Sequence, residues 1–323
     1  MALSQDMLAW LLDTDPTLKW QVERDLQNAP PHIWQTTRAR INTEGHGKRL
    51  LDAQDDDGQW AGGAFFPHDF DFEGPEAHPH AGQPYTATSW TLNTLREWGL
   101  PAENLAGTVE KLQANSRWEY NNARYWDGEV DVCINASTLA NGAWLGTDMS
   151  HLAHWFIKHS MDEGGWNCEW VEGSTRASYH STLNALIGLL EYESYTGDTR
   201  TFEVRKAGEE YLLKRHLLYR LTTGDYVSPW VSHFTYPMRW QYNALRAADY
   251  FMKSALHDDE EHDPRLSEAI DLIEHAQNSS GRWIQNTPYP GRVWFNVDVP
   301  ENEESPWLTF YATRILNWWH TQK

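Results

Sequence analysis

A turn of one composition recurs three times along this chain, and it limits the fold more than any other feature. Asp55-Asp-Asp-Gly-Gln-Trp60, Asp162-Glu-Gly-Gly-Trp166 and Ser279-Ser-Gly-Arg-Trp283 each place glycine among polar residues just before a tryptophan. The interval between them is near twice the length of one helical hairpin. The turns therefore read as an architectural repeat in which glycine reverses the chain and tryptophan packs between helices. Binding of a metal or a diphosphate is the competing reading for the three aspartates at 55–57. Between the turns, apolar residues fall at helical spacing and strands are hard to find. Helices are expected over residues 4–12, 16–27, 33–53, 85–98, 103–114, 133–145, 149–160, 178–190, 200–216, 236–252, 264–277 and 306–319. Paired as outer and inner members, they form hairpins repeating every 45–60 residues or so, which argues for an all-α solenoid, closed or open. No Pro/Ser/Gly linker divides the chain, so a single domain over 1–323 is expected.

Composition narrows the function classes. Hydrophobic residues make up 40% of the chain, and 19 Trp, 14 Tyr and 10 Phe give an aromatic surface that either fills the core or lines an apolar pocket. A formal charge of −20 without a basic tract argues against nucleic acid and anionic membranes as partners. No apolar run is long enough for a membrane span and no signal peptide is evident, so a cytoplasmic location is expected. The loop over 62–84 carries His68, His78 and His80. A surface loop is expected there, with a second metal site as the open alternative, and Phe65-Phe66 could cover a cavity mouth.

Chemistry concentrates between Glu129 and Glu191. Both cysteines, Cys133 and Cys168, fall there, with Asp131 two residues before the first and His180 after the second. Thiolate, carboxylate and imidazole form a ligand set that suits Zn²⁺. Asp131 stands in the N-cap region of a helix, where residues at i and i+2 can converge. Taken singly, each has a structural reading: a buried thiol, a helix cap, a hydrogen-bonded histidine. In the helix that follows, Tyr179, Leu183, Leu186, Ile187 and Leu190 form an apolar stripe, while His180, Asn184 and Glu191 form a polar line, as if one side faced a cavity.

Asp131-x-Cys133 at a helix start, Asp-Glu-Gly-Gly-Trp, and Tyr179-His180-Ser181 together resemble the zinc-site segment of protein prenyltransferase β-subunits. More broadly, the Gly-x-Trp turns and Pro237-Met-Arg-Trp-Gln-Tyr-Asn-Ala-Leu-Arg246 are similar to the prenyltransferase and squalene-cyclase repeat superfamily, above all to small bacterial squalene-cyclase-like proteins. The resemblance implies an (α/α)6 toroid with a central cavity, and a zinc ion on Asp131, Cys133 and His180, with Cys168 as a possible fourth ligand. Two departures matter. The basic residues that hold the diphosphate in those enzymes are replaced here by Tyr125-Trp-Asp-Gly-Glu-Val130. The Asp-x-Asp-Asp acid of class II cyclases is replaced by Asp131-Val-Cys-Ile.

Three functions follow. The first is a zinc enzyme, hydrolase, lyase or transferase, binding a mostly apolar small molecule, with metal-activated water or a substrate thiolate as nucleophile. The second is a prenyltransferase or terpenoid-cyclase-like enzyme acting on an isoprenoid. The third is a non-catalytic toroid stapled by zinc. Beside Asp131, Cys133 and His180, Arg239 and Arg246 are the candidate catalytic residues. Asn184, Tyr242, Trp166 and Tyr85 are the candidates for touching substrate.

Overall fold

The computed structural model describes residues 3–321 apart from residue 79. Thirteen α-helices are found among them: α1 (Gln5–Leu12), α2 (Pro16–Asp25), α3 (Pro31–Ala39), α4 (Gly45–Leu51), α5 (Thr88–Glu97), α6 (Thr108–Asn115), α7 (Val132–Trp144), α8 (Ser150–Lys158), α9 (Tyr179–Thr196), α10 (Phe202–Leu213), α11 (Ala244–Asp258), α12 (Ser267–His275) and α13 (Pro306–Thr321). Isolated bridges occur, but no strand among the described residues. The fold is all-α.

The helices close on themselves. α5 packs on α7, α7 on α9, α9 on α11 and α11 on α13, and α13 returns to α1 and α2. The gap between α2 and α5 is bridged by α4 and by Trp20, whose indole N–H donates to Trp98 O at 2.8 Å. The inner ring is thus α2, α5, α7, α9, α11 and α13, which is the six-hairpin toroid. Inner helices bury most of their surface: every residue of α7 from Thr138 to Trp144 is buried.

The recurrent tryptophans do one structural job three times. Trp60, Trp166 and Trp283 are 0–1% exposed. Their indole N–H groups donate to Leu50 O, Phe156 O and Ile273 O (2.6, 2.9 and 2.8 Å), at or near the ends of α4, α8 and α12. Their backbone N–H groups donate to Thr88, Thr182 and Thr309 Oγ1, each at 3.1 Å, in the first turns of α5, α9 and α13. Each turn therefore bolts the end of an outer helix to the start of the next inner one. Asp55 and Asp57 serve the first turn internally, accepting from Gly62 N and from Gln59.

Two expected helices differ. The span 33–53 is broken into α3 and α4, because Gly45 takes φ +64° and the Asp15 carboxylate sits where its Cβ would be, accepting from His46 N. The span 236–252 begins only at Ala244, where Asn243 accepts from Arg246 N at 2.8 Å as the N-cap. Arg239 and Tyr242 thus lie in the loop before α11, not on the helix that carries Arg246.

Candidate functional site

The site begins with how α7 meets α9. Gly188 of α9 faces Ala136 of α7 so closely that a Cβ would lie 2.6 Å from Ala136 O. That contact brings the head of α7 against the head of α9 and the loop before it. Asp131 caps α7, its Oδ1 accepting from Cys133 N (2.7 Å) and Ile134 N (3.1 Å). The loop bearing Cys168 is tied to α9 by Ser181, whose Oγ accepts from Cys168 N at 3.0 Å and donates to Cys168 Sγ at 3.2 Å.

The two sulfurs stand 3.3 Å apart, and Cys168 Sγ donates to Asp131 Oδ1 at 3.2 Å. A tetrahedral zinc with bonds of about 2.3 Å holds two sulfurs about 3.8 Å apart, and a disulfide needs about 2.05 Å. The observed spacing lies nearer the first, and both cysteines are free. Ligand atoms of Asp131, Cys133 and Cys168 all fall within 4.8 Å of one another. The hydrogen bond with Cys168, then burial, push the Cys133 thiol well above its ordinary range, since both favour the protonated sulfur. A second group of this kind, Glu193, His257 and Asp258, adjoins the Arg205 guanidinium, which pairs with both carboxylates.

His180 stands outside the sulfur-carboxylate group. Its Nδ1 accepts from Tyr242 N at 2.8 Å. A backbone N–H can only donate, so the neutral ring carries its proton on Nε2 and has no free lone pair there for a metal. Burial, then Arg246, lower the His180 pKa to about 4, and Trp230 and Trp240 flank the ring at centroid distances of 4.8 and 5.3 Å. Of the four ligands expected from sequence, the structure brings Asp131, Cys133 and Cys168 together and leaves His180 outside the group as a hydrogen-bond donor of the cavity wall.

These groups line a central cavity of about 500 Å³. Its apolar walls are Phe65, Trp90, Ile134, Ile187 and Trp240, and Asn184, Arg239 and Arg246 also reach it. Asn184 Nδ2 donates to His180 O and Trp240 O (both 2.8 Å) and lies 3.5 Å from Cys133 Sγ, while its Oδ1 accepts from Arg246 at 2.8 Å. Phe65 packs on Trp90 at 4.8 Å. Its loop is held by Glu119, whose Oε1 accepts from the backbone N–H groups of Ala64, Phe65 and Phe66.

Two expected substrate contacts lie elsewhere. Trp166 is fully buried as a turn bolt, and Tyr242 is fully buried with its hydroxyl donating to Leu217 O at 2.8 Å. Tyr85 reaches the site indirectly, its ring 4.2 Å from the Arg239 guanidinium. Sequence reasoning did not single out Ser181, although it belongs to the Tyr-His-Ser motif, nor Asn93, Arg96 and Glu97 of α5, which only ring closure brings to the cavity.

No family model and no curated protein matches the chain. A crystal structure of a protein from Actinoplanes is similar over 95% of this chain and 90% of its own, at 14% identity and a TM-score of 0.45. The apo structure of the type II terpene cyclase MstE from Scytonema is similar over 90% of this chain and 98% of its own, at 14% identity and a TM-score of 0.36. Likenesses this distant say nothing of what the cavity holds.

Proposed function

We propose that the protein is an enzyme whose cavity takes a small, mostly apolar molecule, and that Asp131, Cys133 and Cys168 hold a zinc ion at its wall. The observation that carries this reading is the meeting of the chain's two cysteines with a carboxylate beside a cavity of about 500 Å³. Two thiolates and a carboxylate suit zinc in ligand type, and three protein ligands leave the fourth position to water or substrate, as in catalytic sites. When bound, zinc supplies a Lewis acid that makes hydroxide from water near neutral pH or holds a substrate thiolate as nucleophile.

The remaining work belongs to side chains. His180, neutral and held through Nδ1, offers its Nε2 proton to an oxygen of the bound molecule. Asn184 keeps Arg246 and Cys133 in fixed relation. Phe65, Trp90 and Trp240 exclude water from the apolar part of the substrate.

A second reading, transfer or cyclisation of an isoprenoid, is supported by the same aromatic walls, since ring faces stabilise a developing carbocation. The head of α7 offers no Asp-x-Asp-Asp acid for protonating an alkene, so under this reading ionisation would have to begin otherwise. Metal analysis tests the leading reading. The purified chain is expected to hold about one zinc, and Cys133→Ser or Cys168→Ser to hold little, with near-normal melting temperature. A zinc-free wild-type chain overturns it. Variants that lose zinc and unfold together point instead to a structural staple in a binding toroid.

A further inference from the structure

Ten arginines among the described residues form ion pairs within 4.0 Å, including the three most deeply placed outside the cavity: Arg205 with Glu193, Glu209 and Asp258, Arg215 with Glu163, and Arg314 with Asp25 and Asp249. Two arginines of the cavity wall, Arg239 and Arg246, are in no such pair. Arg246 donates to Asn184 Oδ1 and approaches two backbone carbonyls at 3.4 Å. Arg239 lies over the Tyr85 ring, with its backbone in the left-handed region at φ +51°, a conformation rare for a non-glycine residue. Both stay charged at neutral pH despite burial, so each carries a positive charge without a carboxylate counter-ion in contact.

Other charges of the cavity do not fill that role. Glu97 shares the wall but lies beyond ion-pair distance of either guanidinium. Asp131 caps α7, and Arg96 is already engaged with Asn141 and Glu191. A buried cation without a partner is costly, and a planar guanidinium matches the paired oxygens of a carboxylate or phosphate. In a chain of net charge −20, two such groups lining one cavity mark a place built for a ligand's charge.

We infer that Arg239 and Arg246 form an oxyanion subsite, and that the molecule taken by the cavity has an anionic head, carboxylate or phosphate, on an apolar body. The inference rests on the cavity being the ligand site, as proposed above, but not on the zinc. The head lies against the two guanidinium groups, and the body against Trp90, Trp240 and Ile187.

Calorimetric titration of the full chain with decyl phosphate, decanoate, 1-decanol and decyltrimethylammonium, below their micelle concentrations, tests it. At least one anion is expected to bind tenfold or more above the alcohol, the equivalent of about one charged hydrogen bond. The cation should not bind. Which anion binds more tightly tells phosphate from carboxylate. R239Q and R246Q should each remove about tenfold of the anion affinity and leave the alcohol unchanged, with far-ultraviolet circular dichroism confirming the fold. Equal affinity for alcohol and anions, anion preference kept in R239Q, or no heat with either anion would each overturn the inference. Anion preference that persists in Cys168→Ser shows the subsite independent of the metal, so loss of the zinc reading alone leaves the result readable.

Discussion

His180 shows how much one hydrogen bond decides. Because Tyr242 N donates to Nδ1, the ring is fixed as an Nε2–H donor, and a conservative change should spare the metal. His180→Gln is expected to retain its zinc while slowing turnover on any substrate that needs the proton, by about 10²-fold or more; atomic absorption beside a kinetic assay reads both. A different residue makes stability fall toward neutral pH. Asp298, in the loop before α13, accepts from Ser305 on Oδ2 at 2.5 Å, and burial raises its pKa to about 7 against the hydrogen bonds from Ser305 and the Val299 backbone. The folded chain therefore binds a proton more tightly than the unfolded one, so the stability from this residue is full below about pH 4 and is lost as pH rises through 7. Asp298→Asn should raise the unfolding free energy at pH 8, by an amount on the order of 1–3 kcal/mol, and change it little at pH 5. Equal effects at both pH values would contradict that account.

At the scale of elements, the site depends on two devices, the tryptophan bolts and the α7–α9 contact. Trp166→Ala removes packing and the indole bond to Phe156 O, while keeping the backbone bond to Thr182, and should cost about 3–5 kcal/mol in denaturant unfolding, and the same change at Trp60 or Trp283 should cost a similar amount. Gly188→Ala would press a methyl into Ala136 O and should cost about 1–3 kcal/mol, while shifting Asn184 relative to Cys133. The repeat was legible because Gly and Trp recur in one order, and the helices were legible from apolar spacing. The convergence of Asp131, Cys133 and Cys168 was partly legible, as both cysteines border a helix head. The place of His180 was not, since it depends on a loop amide 62 residues away. Nor was the late start of α11: residues 236–243 carry a helical pattern, yet Asn243 caps at 244 and the loop carries Arg239 to the cavity. Trp166 misled because an aromatic beside a cysteine suits a substrate wall as well as a bolt; only its indole bond to Phe156 O separates the two.

The whole molecule is a ring, and a ring needs a clasp. Arg314 of α13 bridges Asp25 of α2 and Asp249 of α11, so one side chain joins the last inner helix to the first and to its predecessor. Arg314→Ala leaves both carboxylates in a poorly solvated seam and should cost on the order of 3 kcal/mol, at the low end because Lys253 and Arg24 still stand beside them. Adding Asp25→Asn and Asp249→Asn should recover much of that loss in thermal unfolding. No helix among the described residues is long and apolar enough to cross a membrane. Closing the ring is what sets α5, α7, α9 and the loop before α11 around one space, with both cysteines and both arginines lining it and Asn184 between Cys133 and Arg246. X-ray absorption at the zinc edge of the purified chain examines that arrangement most directly. The account predicts two sulfur neighbours at about 2.3 Å with oxygen completing the shell and no imidazole signature. A shell without sulfur, one dominated by imidazole, or no bound zinc would contradict it.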